Sequence, residues 1–267
     1  MTHKALAGQR GPFRVDQLKS GDPYELSGGH PVACLPTGGR GAKANLVGAQ
    51  VLATDPDVAE AGVDTGYALS ADTLRAPDVA VGNVPNRPGW VQGVPPLAVE
   101  YADTGQDEAE LREKIADLLG AGTRWVWVVR LGLPRRVEVH APGQPMLTRV
   151  AGELLEAPGV LRNPVAVEAL YDAEAANAAT LRNLLQRAGY DGLDGVRAEG
   201  KAEGIDEGRL GGLREAVLGL AEAKGLVLDQ GLRQRIDACT DPAQLTGWLR
   251  ALGTAATGAE LAGIIPG

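Results

Sequence analysis

The spacing of apolar residues between positions 95 and 130 predicts the element around which this chain is organised. An apolar run at residues 97–101 predicts a short buried strand, and apolar residues at helical spacing in residues 106–119 predict an amphipathic helix. A second apolar run at residues 125–129 predicts another strand. The segment is therefore expected to form a compact βαβ unit.

Apolar stretches on either side of this unit predict further strands. Residues 22–35 are expected to form a β-hairpin that turns at Gly28 and Gly29, and residues 42–53 a helix packed on a sheet. Strands are also expected at residues 66–69, 75–82 and 135–140, the last at a sheet edge. Because strands dominate this part, the fold class is α/β, with a sandwich architecture rather than a doubly wound sheet.

The pattern becomes helical in the second part of the chain. Helices are predicted at residues 165–171, 172–189, 193–224, 229–239 and 241–252. We therefore divide the chain into a domain of residues 1–150 and a helical C-terminal extension of residues 151–267. Glu-Gly pairs recur every four residues between Glu199 and Gly208. They favour a long helix with glycines along one face; the alternative is a flexible hinge, because glycine costs about 1 kcal/mol in a helix interior.

The net charge of −8 is unevenly distributed along the chain. Residues 1–150 carry 15 basic and 17 acidic side chains, and residues 151–267 carry 11 and 17. Net acidity opposes indiscriminate nucleic-acid binding, although the nearly balanced first part can present a local basic face.

No stretch has the ~18 uninterrupted apolar residues of a membrane span. Two cysteines and no apolar N-terminal signal segment favour a cytoplasmic location.

Four charged side chains interrupt the apolar elements of the first part. Glu25 and Glu100 lie within predicted strands, Asp78 begins another strand, and Lys114 borders the apolar face of the predicted helix. Carboxylates at the ends of neighbouring strands supply the hard oxygen ligands that Mg²⁺ uses. A lysine beside them can orient an attacking water or stabilise negative charge on a phosphorane-like transition state. The pattern suggests metal-assisted phosphodiester hydrolysis, with Glu25 as a third acid.

Each of these residues also has an ordinary structural explanation. Asp78 can be a turn residue after a proline, and Glu25 can be a solvated edge residue of the hairpin. Glu100 and Lys114 can form a structural ion pair.

Other candidate chemistry is weaker. The glycine-rich loop of residues 37–41 lacks the ending of a P-loop, and His30 and His140 lack partners at the spacing of a zinc site.

Five short motifs, taken in order, resemble the Uma2 family (formerly DUF820) of the PD-(D/E)xK nuclease superfamily. The resemblance extends over residues 16–150 and rests on the order and spacing of the motifs rather than on any single one. The motifs are Tyr24-Glu25-Leu26, Pro77-Asp78-Val79, Pro96-Leu97-Ala98-Val99-Glu100-Tyr101, Leu111-Arg112-Glu113-Lys114 and Ala121-Gly122-Thr123-Arg124-Trp125-Val126-Trp127-Val128-Val129.

The resemblance implies a restriction-endonuclease-like mixed sheet flanked by helices, followed here by the all-α extension. Superfamily members ordinarily carry the lysine two residues after the strand glutamate, where this chain has Ala102. Uma2-like proteins take it from the following helix, which matches Lys114. The implied ion is Mg²⁺, with Mn²⁺ as an alternative. The implied catalytic residues are Asp78, Glu100, Lys114 and Glu25, and the implied metal ligands are Asp78, Glu100 and Tyr101.

Two departures from the family pattern leave two hypotheses open. Ala102-Asp103-Thr104 replaces a Ser-Pro-Ser/Thr run, and Arg40-Gly41-Ala42-Lys43 stands where a histidine is frequent. The first hypothesis is a Mg²⁺-dependent endonuclease acting on DNA. The second is a catalytically degenerate, nuclease-derived scaffold acting through its helical extension. We expect a homodimer, through strand edges and the glycine-faced helix, with the extension as a candidate site for a protein partner.

Overall fold

The computed structural model describes residues 11–105 and 107–254, and these form thirteen strands and six α-helices. The strands are β1 Tyr24–Ser27, β2 His30–Ala33, β3 Ala61–Val63, β4 Tyr67–Ala68, β5 Leu74–Arg75, β6 Val79–Val81, β7 Val91–Gln92, β8 Leu97–Ala102, β9 Trp125–Arg130, β10 Arg136–His140, β11 Leu147–Val150, β12 Leu154–Leu155 and β13 Val165–Ala166. The helices are α1 Gly39–Thr54, α2 Glu108–Ala121, α3 Ala173–Arg187, α4 Leu193–Ala223, α5 Gln230–Ala238 and α6 Pro242–Thr254.

The chain divides into two units, and the boundary between them along the sequence lies between Asp191 and Gly192. The boundary predicted after residue 150 falls inside the first unit. Residues such as Leu155, Val165 and Ala176 belong to the same hydrophobic core as the strands before them. The first unit therefore includes β12, β13 and α3 in addition to the strands of the predicted domain.

Six strands form the main sheet, in the order β11-β10-β9-β8-β6-β3. β8 and β9 are parallel and are joined by α2, which confirms the predicted βαβ unit. The other neighbours in this sheet are antiparallel. The expectation that residues 135–140 form a sheet edge is wrong, because β11 pairs with the outer side of β10.

Five strands form a second sheet, in the order β2-β1-β5-β4-β7. It contains the predicted hairpin, whose turn residues Gly28 and Gly29 have φ of 51° and 82°. The strand predicted at residues 75–82 is two strands in different sheets, β5 and β6. Pro77 lies between them and has no N–H to donate to a ladder. This break places Arg75 in one sheet and Asp78 beside the other.

Side chains of the central strand β8 point alternately to the two faces of the main sheet. Leu97 and Val99 join the larger core, which also contains Val51 and Leu52 of α1. Ala98 and Ala102 join the core beneath α2. Glu100 has the same parity as these two alanines, so its carboxylate is directed to the side that α2 covers.

Helix α2 is fixed at both ends by its own sequence. The Asp107 side chain accepts hydrogen bonds from the N–H groups of residues 109 and 110, and Gly122 ends the helix in the left-handed region at φ 114°. Leu111, Ile115 and Leu118 are buried against the main sheet. The defined helix start and the apolar stripe together fix the direction in which the adjacent Lys114 projects.

Helix α1 packs unusually close to β8 at one point. The Tyr101 hydroxyl donates to the Leu170 carbonyl at 3.0 Å, and a Cβ at position 48 would overlap that hydroxyl. Gly48 is therefore required by packing rather than by backbone conformation.

The second unit contains α4, α5 and α6. Val217 and Ala221 of α4 pack with Ile236, Leu245 and other apolar residues of the two shorter helices. The Glu-Gly stretch is helical, as favoured from the sequence, and Gly200, Gly204 and Gly208 have open space at the Cβ position. No helix in residues 11–105 and 107–254 is long and apolar enough to cross a membrane.

One helix expected from the sequence has a different structure. Residues 165–171 form the short strand β13 and a 3₁₀ turn, Val167–Leu170, instead of a helix. The two-residue ladder with β12 and the packing of Val167 and Leu170 in the core override the helical pattern.

The contact between α1 and β8 predicts the effect of one added methyl group. Gly48→Ala should lower the free energy of unfolding by about 1–3 kcal/mol, because overpacking outweighs the gain of about 1 kcal/mol in helix propensity. Urea unfolding can be followed by tryptophan fluorescence, since Trp90, Trp125 and Trp127 lie in the first unit.

The matched control is Gly120→Ala, on the exposed side of α2 with nothing near the Cβ position. It should be neutral or stabilising by up to about 1 kcal/mol. Tyr101→Phe should reduce the cost of Gly48→Ala, because it removes the overlapping hydroxyl. A Gly48→Ala protein as stable as the parent would contradict this close contact.

Candidate active site

The ammonium group of Lys114 is the centre of a buried polar cluster between the two sheets. It donates to the Ala76 carbonyl at 2.7 Å and lies 2.9 Å from Glu25 Oε1. It also lies 2.9 Å from Glu100 Oε1 and donates to Glu100 Oε2 at 3.0 Å. The Lys114 side chain is 14% exposed, and the two glutamate side chains are 7% and 8% exposed. The lysine therefore links α2 to a carboxylate from each sheet.

Asp78 lies beside this cluster, immediately before β6, the strand next to β8. Val79 pairs with Val99 in the antiparallel ladder, and the same register continued by one residue brings position 78 opposite position 100. Directly opposed side chains lie on the same face, with Cβ atoms about 5 Å apart. The main-chain N–H of Tyr101 donates to Asp78 Oδ2 at 2.6 Å, which fixes the aspartate. Asp78 and Glu100 are thus side by side.

Burial and mutual repulsion set the charges of these groups. Desolvation is the main reason that the pKa of Glu100 is raised to about 8. The charge of Lys114 opposes this rise, and the charges of Asp78 and Glu25 add to it. Desolvation also raises the pKa of Asp78, against the lowering effects of Lys114 and the Tyr101 N–H. Burial alone would lower the pKa of Lys114, but the surrounding carboxylates hold this pKa above its ordinary value. The lysine is therefore cationic, and the carboxylates compete for it.

A second cation adjoins the cluster on the hairpin side. The Arg75 side chain is 1% exposed, and it lies 2.7 Å from Asp117 and 3.4 Å from Glu25. Four buried or half-buried carboxylates therefore face two cations. These carboxylates belong to Glu25, Asp78, Glu100 and Asp117.

The cluster has features that fit a divalent cation. Glu100 Oε1 is buried and has no hydrogen-bond partner, since its 2.9 Å approach to Lys114 lacks hydrogen-bond geometry. When ionised, the four carboxylates exceed the two cations by two charges. No three His, Cys, Asp or Glu side chains are grouped as a metal cage in the described parts of the chain. Mg²⁺ uses one or two carboxylates and retains several waters, so the neighbouring carboxylates of Asp78 and Glu100 would suffice to hold it.

The fold brings together four of the five residues named from the sequence, namely Asp78, Glu100, Lys114 and Glu25. Tyr101 differs, because its side chain points to the opposite face of the main sheet and its hydroxyl binds Leu170. Only the main chain of Tyr101 adjoins the cluster. A ligand role for this residue is therefore limited to its carbonyl oxygen.

Comparison with known sequences places this arrangement in a family. A sequence model of Uma2, described as "Putative restriction endonuclease", matches residues 13–167, more than half of the chain. The chain belongs to the Uma2 family. The resemblance stated from the sequence motifs is therefore confirmed. No curated protein matches the chain.

A solved structure supports the Uma2 fold independently. It is described as "a putative nuclease belonging to DUF820 from Anabaena variabilis" and superimposes with a TM-score of 0.51 at 17% sequence identity. The match covers 62% of this chain and 99% of that chain. At this identity the likeness establishes the fold, which confirms the restriction-endonuclease-like mixed sheet with flanking helices.

The residues around Arg75 in this Uma2 chain were not among the candidates named from the sequence. The available signal is a charged arginine at the start of a predicted strand, two residues before the Pro-Asp pair. Ser27, which accepts from Arg75 at 2.8 Å, and Asp117 carried no recognisable signal. Their roles depend on a contact between β1, β5 and α2 that no local pattern encodes.

Removal of the central cation predicts a stability loss that depends on pH. Lys114→Met should lower the free energy of unfolding by about 3–5 kcal/mol at pH 8.5, because it leaves buried carboxylates unpaired. When the pKa of a carboxyl is higher in the folded state than in the unfolded state, the fold loses stability as the pH rises from the unfolded-state pKa through the folded-state pKa. Without the lysine these pKa values rise further, so the loss should be smaller at pH 5.

Urea unfolding at the two pH values measures this difference. The control is Lys43→Met, an exposed lysine on α1, which should change stability by less than about 0.5 kcal/mol at either pH. A Lys114→Met loss that is equal at pH 5 and pH 8.5 would show that the carboxylates do not depend on this lysine.

Proposed function

We propose that this protein is a divalent-metal-dependent endonuclease that hydrolyses phosphodiester bonds in DNA. The observation that carries the proposal is the approach of the Lys114 ammonium to buried Glu100, next to Asp78 at the start of the neighbouring strand. A charged lysine and two adjacent carboxylates are the groups that metal-assisted phosphodiester hydrolysis requires. The restriction-endonuclease description of the Uma2 family supports the same chemistry and suggests DNA as the substrate.

Asp78, Glu100 and the carbonyl oxygen of Tyr101 are the groups proposed to hold Mg²⁺. When bound, the ion would polarise the scissile phosphate and lower the pKa of the attacking water. Asp78 is already oriented for this role by the Tyr101 N–H. Glu100 Oε1, which has no hydrogen-bond partner although Lys114 Nζ lies 2.9 Å away, would be the second ligand, with Oε2 still hydrogen-bonded to Lys114.

Lys114 is proposed to orient the attacking water and to stabilise negative charge as it develops on the phosphate. In the structure its donors are directed at Ala76, Glu25 and Glu100. A substrate or water would therefore exchange with one of these partners. Glu25 keeps the ammonium in place while that exchange occurs, which is a positioning role for the third acid.

Isosteric neutralisation of the two carboxylates tests the proposal. Asp78→Asn and Glu100→Gln should each reduce the rate of Mg²⁺-dependent cleavage of plasmid DNA on the order of 100-fold or more, since each removes one charged ligand. The control is Glu110→Gln on the exposed side of α2, which should cleave at the parent rate. Parent activity in both site variants would refute the assignment.

Calorimetric titration separates this function from the alternative of a degenerate scaffold. An endonuclease of this kind binds Mg²⁺ or Mn²⁺, and Glu100→Gln weakens that binding. A catalytically degenerate scaffold, which has lost its metal site, shows no ion binding that depends on Glu100.

A further inference from the structure

The guanidinium of Arg75 lies next to the candidate active site but takes no part in the chemistry proposed above. It is among the largest fully buried side chains, with 1% exposure. Leu26 pairs with Leu74 in the antiparallel ladder of β1 and β5, so Arg75 is directly opposite Glu25. Burial of a guanidinium is costly unless its donors are paired, so its partners show what it contributes.

Two of the three partners hold Arg75 firmly. Its Nε and Nη2 lie 2.8 and 2.7 Å from Asp117 Oδ2 on α2. Nη2 also donates to Ser27 Oγ at 2.8 Å. The Ser27 hydroxyl in turn donates to Glu113, so α2 contacts this arginine both directly and through the serine.

The third partner, Glu25, is shared between the two buried cations. Its Oε2 lies 3.4 Å from Arg75 Nη1, and its Oε1 lies 2.9 Å from Lys114 Nζ. One oxygen of the carboxylate therefore faces each cation. Without Arg75 both oxygens would be available to the lysine, and the ammonium would be drawn away from Glu100.

We propose that Arg75 is a positioning residue that acts through Glu25 and sets the place of the Lys114 ammonium relative to Glu100. The inference rests on the endonuclease function proposed above. Displacement of a catalytic group by about 1 Å can cost on the order of 100-fold in rate. Loss of a residue that orients a metal ligand or its neighbours typically costs about 10–100-fold.

The test compares Arg75→Met and Arg75→Lys with the parent in full-length protein. Arg75→Met should reduce kcat for plasmid cleavage by about 10–100-fold and leave KM within about threefold. The Mg²⁺ affinity measured by calorimetry should stay the same or increase, because Lys114 then competes less for Glu100. Arg75→Lys should be faster than Arg75→Met, because it keeps the positive charge. It should stay slower than the parent, because an ammonium cannot bridge Asp117 and Glu25 as the guanidinium does.

The matched control is Arg130→Met, which removes another mostly buried arginine of the same unit. Its side chain is 15% exposed and pairs with Glu108 and Glu138, without contact to Glu25. It should leave kcat within about threefold of the parent. An equal loss in both arginine variants, or a parallel loss of Mg²⁺ affinity, would show that Arg75 has only a structural role.

A double-mutant cycle with Glu25→Gln tests whether Arg75 acts through the glutamate. The Arg75→Met, Glu25→Gln protein should be no slower than Glu25→Gln alone. Losses that multiply would overturn the inference. If Arg75→Met does not fold, the same cycle is run with Arg75→Lys.

A readout independent of cleavage keeps this inference separate from the proposed function. The Nζ resonance of Lys114, assigned by its loss in Lys114→Arg, should shift in Arg75→Lys and stay unchanged in Arg130→Met. If the parent neither cleaves DNA nor binds Mg²⁺, the proposed function fails, while a shifted resonance still supports positioning by Arg75. An unchanged resonance in Arg75→Lys would contradict it.

Discussion

The compensation of one buried ammonium group is the constraint on which the first unit depends. Lys114 projects from α2, whose apolar residues pack against the main sheet and fix the position of the helix. The buried ammonium must therefore be neutralised by carboxylates at that position. Glu100 supplies one carboxylate from the main sheet and Glu25 another from the second sheet. Because a buried charge without partners costs several kcal/mol, the relative position of the two sheets and α2 is tied to this contact.

The same arrangement explains why the second sheet matters for function. The chain leaves the second sheet after Arg75 and enters the main sheet after Asp78, with Pro77 between the two strands. Arg75 therefore pairs with Glu25 of the second sheet, while Asp78 lies near Glu100 of the main sheet. Two cations and four carboxylates are then held within one polar layer, with an excess of negative charge. Such an excess is unfavourable in a protein interior, and accordingly the pKa values of Glu100 and Asp78 are raised.

The sequence predicted the parts of this layer that local patterns encode. The βαβ unit follows from the apolar runs and the helical spacing between them, and the place of Lys114 beside the apolar face of the helix follows from the helix period. The ordered motifs identified the Uma2 family, and they contain Asp78 and Glu25, which were already candidates because they interrupt apolar elements. All of these rest on residues close together in the chain or in a recognisable order.

Other features depended on tertiary contacts that no local pattern contains. The sequence named Tyr101 as a ligand without specifying the atom, and its strand parity, opposite to that of Glu100, leaves only its main chain beside the cluster. Arg75 was overlooked because one predicted strand proved to be two, in different sheets. A helix was expected at residues 165–171, but the first of these residues form β13, which pairs with β12. The roles of Asp78 and Glu100 as metal ligands stay predictions.

Metal binding at this cluster can be observed in an anomalous difference map from crystals of the full-length protein soaked in Mn²⁺. We expect one peak bonded to a carboxylate oxygen of Asp78 and of Glu100 at about 2.1 Å, with Lys114 still beside Glu25. A saturated crystal with no peak near these carboxylates, or with Mn²⁺ only at an unrelated surface position, would contradict it.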